Sequence, residues 1–378
     1  MIRPLALAAM LLTAAPAFSQ AADPAQGATA AAKDLDRAIA AMDAAKSSSD
    51  RIKALTQTIR AYEAGLTAMR EGLRQASIRE QTLSRELQAR ETEIAQLLGV
   101  LQSIGDQTSP GLLLHPDGPM GTARAGMILS DVTPALNTRA AELRGKLEEV
   151  TTLRQLQDNA ADTLQTGLQA VQDARATLSK AVADRTDLPR RFTADPVKTA
   201  LLIASSETLQ GFASGLSEIA QNEAPGSLPD IAFRKGALPL PVQGRILRGY
   251  VEPDAAGITR PGLIIATRPR ALVTTPAAAT IRYRGPLLDY GNVMILEPQA
   301  GLLFILAGLD TVYGEPGQVL PSGAPVGLMG GSDPGIGEIL SQVGDGAGTD
   351  RTETLYIETR EMNAPVNPAN WFHIDGQD

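Results

Sequence analysis

Few residues in this 378-residue chain have side chains that could carry out covalent or metal chemistry. There is no cysteine, and the only two histidines, His115 and His373, lie far apart in the sequence. A catalytic zinc needs three protein ligands, and a serine nucleophile needs a neighbouring base, usually at a Gly-x-Ser-x-Gly turn that is absent here. The adjacent acids Glu148 and Glu149 fall in a helical pattern and are typical of a solvated surface. These residues favour a binding protein without a cofactor over an enzyme.

The charge balance argues against nucleic acid as a partner. Acidic residues outnumber basic ones by 42 to 34, so the field around the molecule repels polyanions. Aromatic residues make up only 3% of the chain, while Ala, Leu, Gln, Glu and Arg are abundant. This composition is typical of long helices that pack through aliphatic side chains.

The first 20 residues have the pattern of a secretory signal peptide. Arg3 precedes an apolar run over residues 5–15, which is followed by small residues around Ala17 and Ser19. The run is shorter than the roughly 20 apolar residues that span a bilayer. The absence of cysteine excludes a lipoprotein anchor. We therefore predict export to the periplasm as a soluble protein.

Two long stretches with heptad spacing predict an antiparallel coiled-coil hairpin over residues 28–190. An Ala-rich run at residues 28–45 extends the first stretch, so that residues 30–105 would form one continuous rod. The first seam contains Ile52, Leu55, Ile59, Tyr62, Leu66, Met69, Leu73, Ala76, Leu83, Leu87, Ile94, Leu97, Leu101 and Ile104. The second contains Leu136, Ala140, Leu143, Leu147, Val150, Leu164, Leu168, Val171, Leu178 and Val182.

The hairpin tip is predicted at residues 105–133, where repeated Gly and Pro should stop both helices. This segment is unusually long and apolar for a connection. Its large apolar residues include Leu112, Leu113, Leu114, Met120, Met127 and Ile128. Two interpretations remain open: the side chains pack back on the hairpin, or they form a docking surface for a partner.

A shorter helical pattern at residues 195–222 follows the hairpin and precedes a Pro/Gly-rich linker at 223–240. Its apolar face includes Leu201, Leu209, Phe212 and Leu216. Another element must cover this face. The hairpin is one candidate, and a regulatory contact with the C-terminal domain is the other.

From residue 241 to 373 the pattern changes to short apolar runs separated by Gly, Pro and Asn, which predicts an antiparallel all-β domain. The predicted strands cover residues 262–266, 279–283, 293–296, 302–306, 325–329 and 354–359. The predicted fold class is therefore multidomain, with an N-terminal all-α hairpin and a C-terminal antiparallel sheet.

This β region resembles the LytM, or lysostaphin-type, family of zinc peptidases that cut bacterial cell-wall cross-links. The resemblance rests on four ordered landmarks: residues 241–246 (PVQGRI), 289–295 (DYGNVMI), 317–330 (GQVL followed by a second turn) and 365–371 (PVNPANW). It implies a groove in which zinc is held by a His-x-x-x-Asp motif and a His-x-His motif.

The flanking residues show that each of these functional positions has been replaced. The first histidine falls on Arg260 and the aspartate on Ile264. The mid-domain histidine falls on Gly308, and the final pair falls on Thr354 and Tyr356. A groove with such a lining could still hold a polypeptide segment. We therefore predict that these five residues bind a partner.

With its signal peptide, hairpin and ligand-free LytM-like domain, the chain resembles the EnvC-type murein hydrolase activators. The resemblance implies a periplasmic N-acetylmuramoyl-L-alanine amidase as partner and regulation through the hairpin by the FtsE/FtsX division complex. Peptidoglycan would be an indirect partner, and residues 195–222 a regulatory helix. Two alternatives stay open: a periplasmic structural adaptor, and a peptidoglycan endopeptidase with an altered site. Bound zinc would distinguish the endopeptidase, whereas an adaptor would not activate an amidase.

Overall fold

The structure is a computed structural model, and it describes residues 24–92, 94–96, 99, 118–192, 196–219, 230–254, 257–335, 338–339 and 351–374. Long helices occupy the N-terminal half, and an antiparallel β domain occupies the C-terminal half. The predicted fold class is confirmed. No helix among the described residues combines the length and the apolar character needed to cross a membrane.

The N-terminal half contains α1 (Pro24–Asp43), α2 (Ser48–Ala89) and α3 (Gly118–Ala183). Helices α2 and α3 run antiparallel, as shown by the ion pairs of Arg79 with Glu149 (2.8 Å) and of Glu63 with Arg175 (2.9 Å). Their buried seam comes from the predicted heptad positions, so the hairpin is confirmed. These residues are Ile52, Leu55, Ile59, Leu66 and Leu73 of α2 with Leu164, Leu168, Val171 and Leu178 of α3.

The prediction of one continuous rod over residues 30–105 is wrong, because α1 folds back along α2. A β-carbon at Gly27 would lie 3.3 Å from Ala68, and one at Gly65 would lie 3.5 Å from Ala31, which shows the antiparallel approach of the two backbones. The break is fixed by a capping box at Ser47, whose hydroxyl accepts a hydrogen bond from the Asp50 N–H (3.0 Å). Small residues on both helices permit the close contact.

The predicted break at residues 105–133 extends too far, because α3 begins at Gly118. Pro119 lies in the first turn, where a missing N–H costs no helical hydrogen bond. Pro134 is accommodated within the helix. Of the predicted tip residues, Leu112, Leu113 and Leu114 lie outside the described residues, as does His115. Met120 and Ile128 lie in α3, and Met127 is 72% exposed.

The single helix predicted for residues 195–222 is two helices, α4 (Pro196–Ser205) and α5 (Leu209–Ile219). The Ser206 hydroxyl donates to the Leu202 carbonyl (2.7 Å) at the end of α4. The Thr208 hydroxyl then accepts from the Gly211 N–H (3.0 Å) and caps α5. Local hydroxyl contacts therefore interrupt the continuous apolar pattern.

The β domain is one antiparallel sheet in the order β1-β2-β9-β6-β5-β4-β7, with β10 pairing with β9 and β8 joining β3 to β6. Its strands are β1 (Gly244–Arg248), β2 (Leu263–Thr267), β3 (Leu272–Thr274), β4 (Ala279–Pro286), β5 (Asn292–Gln299), β6 (Leu302–Val312), β7 (Val319–Leu320), β8 (Pro325–Met329), β9 (Glu353–Glu361) and β10 (Ala364–Val366). All six strands predicted as short apolar runs are present.

One face of the sheet, the inner face, packs on the C-terminal segment. The ring of Phe304 lies 6.2 Å from Trp371 and 5.3 Å from Phe372, centroid to centroid. Leu238 is fully buried beside them, and its N–H donates to the Trp371 carbonyl (3.1 Å). Leu238 and Ile231 thus belong to the domain core, although the sequence placed them in the linker 223–240. Residues 223–229 lie outside the described residues.

The base of the hairpin packs on β3 and β8 around a buried charge cluster. Arg175 of α3 contacts Glu63 of α2 (2.9 Å) and Asp333 (3.0 Å), and the Leu272 N–H donates to the Glu63 carboxylate (3.2 Å). The Tyr313 hydroxyl lies 2.7 Å from that of Ser179. These polar contacts join both long helices to the β domain in one geometry. We call this contact the hairpin joint.

The chain leaving α3 is attached to β7, the last strand in the sheet order, before it reaches α4. The Val319 N–H donates to the Pro189 carbonyl (2.9 Å), and the Arg191 N–H donates to the Gly317 carbonyl (2.9 Å). Gly317 has φ 88°, and a side chain there would collide with the Phe192 carbonyl. Residues 188–192, here called the strap, therefore run beside β7 and hold the start of the α4–α5 segment to the β domain.

Candidate functional site

The second face of the sheet, the outer face, is apolar and is covered by α5. Alternating residues of β4, β5, β6 and β9 point to this face, because neighbouring side chains of a strand point to opposite sides. They are Tyr283, Val293, Ile295, Leu303, Ile305, Ala307 and Tyr356. The intervening residues, such as Met294, Phe304 and Ile357, point to the inner face. Strands β5 and β6 are therefore almost continuously apolar because both of their faces are covered.

Helix α5 places an apolar stripe on the outer face. Leu209, Phe212, Ala213 and Leu216 are spaced i, i+3, i+4 and i+7, so that they share one side of the helix. Phe212 is fully buried, and its ring meets that of Tyr283 edge to face with 4.7 Å between centroids. Leu209 and Leu216 are 3% and 7% exposed. The cover of this helical face is therefore the β domain, the second of the two candidates that the sequence left open.

Helix α4 packs against α5, and its Leu201 is not part of the buried face. A side chain at Gly215 of α5 would collide with Leu202 of α4, which shows how closely the two helices approach. Leu202 and Ile203 are partly buried against the outer-face cluster. Leu201 is 68% exposed, so its predicted place on the buried face with Leu209, Phe212 and Leu216 is wrong. The break between α4 and α5 changes the phase of the helical face, which explains the error.

Four of the five predicted groove residues lie on the neighbouring strands β2, β6 and β9, and the fifth, Arg260, lies in the segment just before β2. Ile264 of β2 is the register partner of Tyr356 of β9, and Tyr356 in turn pairs with Ala307 of β6. Thr354 is exposed, and Gly308 lies next to its carbonyl. Tyr356 is 7% exposed, whereas the Arg260 side chain is exposed at the edge. The structure thus brings the five positions into one site, and their role in binding a partner stays a prediction.

Gly308 has a backbone conformation that accounts for its identity. Its φ is 93°, and a β-carbon there would lie 2.7 Å from the Thr354 carbonyl oxygen. Any larger residue at this position would be strained and would collide with β9.

Arg260 lies at the open end of the site against an aromatic ring. Its guanidinium carbon is 5.9 Å from the centroid of Tyr290, and the Tyr290 ring is 6.0 Å from that of Tyr356. Beside it is a cavity of about 380 Å³, lined by Arg248, Glu252, Asp254, Ile258, Arg260 and Ile264. Helix α5 therefore covers the apolar part of the outer face, while a polar end lined by two arginines and two carboxylates stays open.

A buried polar chain under the site was not predicted from the sequence. The Tyr356 hydroxyl donates to the Glu358 carboxylate (2.8 Å), which also accepts from Arg360 (2.8 Å). Glu358 and Arg360 are 3% and 0% exposed. Burial, together with the neighbouring Glu358 carboxylate, raises the pKa of Tyr356 far above its usual value, so its hydroxyl stays protonated. The alternate spacing of residues 356, 358 and 360 was the available signal, because it places all three on one face of a strand.

These residues do not form a zinc site. Arg260 is a cation, Ile264 is an aliphatic residue and Gly308 has no side chain, so none can donate to a metal. The Tyr356 hydroxyl is protonated, and Glu358 is already paired with Arg360. Across the part of the chain that the structure describes, no three His, Cys, Asp or Glu side chains are grouped closely enough to hold a metal ion.

Comparison with known sequences gives one distant relative. No family model matches the chain. A stretch of 146 residues is 25% identical to the uncharacterised protein NMB1333 of Neisseria meningitidis serogroup B. The match covers 39% of this chain but only 22% of the length of that protein.

Solved structures with similarity to part of the chain include Csd3 from Helicobacter pylori, with 17% identity, 36% of this chain and 35% of that chain covered, and a TM-score of 0.28. A putative M23 peptidase from Pseudomonas aeruginosa has 16% identity, 48% and 63% coverage, and a TM-score of 0.30. The SpoIIQ–SpoIIIAH pore-forming complex has 18% identity, 36% and 90% coverage, and a TM-score of 0.28. At these TM-scores the likenesses do not bear on function.

Proposed function

We propose that this protein is a non-enzymatic activator of a periplasmic N-acetylmuramoyl-L-alanine amidase, and that the amidase binds the outer face after α5 has left it. The single observation that carries this proposal is that α5 buries Phe212 on the same sheet face as Ile264 and Tyr356, two of the five positions that the LytM resemblance aligns with zinc-site residues. A peptidase groove without metal ligands but with a helical cover fits a binding site that is regulated by that cover.

The outer face also suggests what the partner presents. It accepts a helix with apolar side chains at i, i+3, i+4 and i+7, including an aromatic ring beside Tyr283. Helix-in-groove recognition uses this spacing. A segment of the amidase that displaces α5 should therefore be an amphipathic helix. An acidic residue near its end would lie close to the exposed guanidinium of Arg260.

Release of α5 requires a moderate free energy. Burial of a large apolar side chain contributes about 1.5–3 kcal/mol, and α5 buries three of them, Leu209, Phe212 and Leu216. The loss of conformational entropy when the helix becomes ordered offsets part of this total. A partner helix that buries a similar stripe would compensate for the loss of α5. Exchange between the two helices is therefore energetically feasible, and the intact protein should activate less than a protein whose cover is weakened.

The remaining elements complete the proposal. The sequence pattern of residues 1–20 supports export, and the four sequence landmarks support a LytM-like domain. We further propose that the FtsE/FtsX complex binds the hairpin tip, where Met127 is exposed. Movement of the hairpin would reach α4 and α5 through the hairpin joint and the strap, since residues 188–192 connect α3 to the β domain immediately before α4.

The test is dye release from labelled peptidoglycan with the protein alone, a candidate amidase alone, and both together. Synergy without activity of the protein alone is expected. Phe212→Asp should increase the synergy over wild type because a charge cannot be buried against Tyr283. Leu201→Asp is the matched control, since Leu201 is exposed on the neighbouring helix and its substitution should leave the synergy unchanged.

Deletion of residues 196–219 provides a second way to remove the cover and should also increase the synergy. If neither Phe212→Asp nor the deletion exceeds wild type, α5 is a structural element and not an inhibitor. If no form of the protein stimulates the amidase, the activator proposal is wrong and a structural adaptor is the better description. Turnover of peptidoglycan by the protein alone would favour the endopeptidase.

A further inference from the structure

A second cavity lies at the hairpin joint, far along the sheet from the strap. Its volume is about 460 Å³, which is within the range of small-molecule sites. Helices α2 and α3 contribute Glu63, Thr67 and Arg175, and the β domain contributes the remaining lining residues. Anything bound there would therefore contact both halves of the molecule.

Among the described residues, the lining is positively charged. These residues contribute the guanidinium groups of Arg175, Arg268 and Arg351 and one carboxylate, that of Glu63. Arg175 already balances Glu63 at 2.9 Å, and Asp333, its other partner, does not line the cavity.

Arg351 is the residue best placed to receive a ligand. Its side chain is half-buried, and among the residues that the structure describes it has no ion-pair partner. Arg268 lies in the same lining, where it donates a hydrogen bond to the backbone carbonyl of Glu63 (3.3 Å) and lies close enough to the Glu63 carboxylate to interact with it electrostatically. A guanidinium presents a planar fork of donors that matches a carboxylate or phosphate group. The rest of the wall is apolar and includes Pro239, Leu240 and Val242.

We propose that this joint cavity binds a small anionic ligand, whose carboxylate or phosphate group is held by Arg351 and Arg268 and whose body packs on Pro239, Leu240 and Val242. The ligand links the hairpin to the β domain and so stabilises the joint. This site is separate from the outer face, and it does not depend on the proposed activation of an amidase.

The test is calorimetric titration of the full chain with three probes: a cell-wall tripeptide with free carboxylates, the same tripeptide with its carboxylates amidated, and inorganic phosphate. The free tripeptide should bind, and the amidated form should bind at least roughly tenfold more weakly, since a charged hydrogen bond is worth about one factor of ten or more. If inorganic phosphate binds and the free tripeptide does not, the natural ligand carries a phosphate group in place of a carboxylate.

Arg351→Gln should weaken binding of the anion about tenfold or more, and Arg351→Lys should restore part of it because charge returns without the planar fork. Arg245→Gln is the matched control, because Arg245 is exposed in β1 and does not line the cavity. Thermal melting of each variant verifies that it is folded. The proposal is overturned if neither anion binds the wild type, or if Arg351→Gln binds as tightly as wild type.

Discussion

Two helical elements contact the β domain in different ways: the hairpin joint and the α5 cover. The joint contains a buried network of Glu63, Arg175 and Asp333 that reaches the backbone of Leu272. The cover presents an apolar stripe centred on Phe212. Separation of the joint would leave buried charges without partners, whereas separation of the cover exposes apolar area that another helix can bury again.

The difference indicates which contact is fixed and which is exchangeable. Charged networks require one geometry, because each donor has to meet its acceptor. Apolar contacts are less directional and tolerate a substitute of similar shape. We therefore expect the hairpin to stay attached to the β domain while α5 leaves and returns. Four measurements test this expectation, and they are ordered from the largest predicted effect to the smallest.

Arg175→Ala should have the largest effect. It removes the shared partner of Glu63 and Asp333 and leaves two carboxylates at the joint, one of them buried. Breaking a buried ion pair typically costs about 3–5 kcal/mol. Urea unfolding followed by circular dichroism measures the loss. A change below about 1 kcal/mol would show that the joint is not held by this network and would remove the contrast with α5.

Phe212→Ala should have a large but local effect. Removing a buried phenylalanine from a rigid core destabilises a protein by about 3–5 kcal/mol. Because α5 can detach without unfolding the β domain, the substitution cannot cost more than the free energy with which α5 docks. We expect faster hydrogen exchange in α5 and in Tyr283 with little change in the hairpin. Slower folding or global unfolding of the β domain would contradict the idea of an exchangeable cover.

The pH dependence of the joint should reflect Glu63. Burial raises the pKa of Glu63 above its usual value, although Arg175 and the Leu272 N–H partly oppose the shift. A carboxyl whose folded pKa is raised stabilises the fold most when it is protonated, and this contribution is lost as pH rises through the folded pKa.

The free energy of unfolding of wild type, relative to Glu63→Gln, should therefore increase as the pH falls from 7 towards 5. Paired urea titrations across this range isolate Glu63, because all other groups titrate in both proteins. The opposite slope would mean that Arg175 outweighs burial at this carboxylate.

Arg79→Ala should have the smallest effect. Arg79 pairs with Glu149 across the hairpin at 2.8 Å, but both side chains are substantially exposed, at 56% and 40%. An exposed pair is screened by solvent and contributes little to stability. The same urea assay provides the measurement, and an effect comparable to that of Arg175→Ala would show that burial does not distinguish the joint from the hairpin surface.

Parts of the architecture could be predicted because their signals are local and periodic. The heptad positions from Ile52 to Leu73 form the buried seam, and the short apolar runs form the strands. The errors occur where a local pattern competes with a cap or a packing partner. The capping box at Ser47 reverses the chain between α1 and α2, and the hydroxyls of Ser206 and Thr208 divide α4 from α5.

The site shows the same division. Landmarks in the sequence pointed to Arg260, Ile264, Gly308, Thr354 and Tyr356. The strand register, the approach of Gly308 to Thr354 and the contact of Arg260 with Tyr290 place them near one another. The buried chain from Tyr356 through Glu358 to Arg360 was missed, because a charged residue in a strand pattern gives no indication that it is buried. Its partners become apparent only when the depth of the strand in the sheet is known.

The sequence by itself determined the two architectural classes and the antiparallel hairpin, since both depend on residue type and spacing along the chain. Only the tertiary structure decided that α1 folds back, that α5 lies on the outer face and that Glu63 meets Arg175 inside the joint. The physical reason is that these are contacts between segments distant in sequence, and they depend on which apolar faces and buried charges find partners when the elements pack.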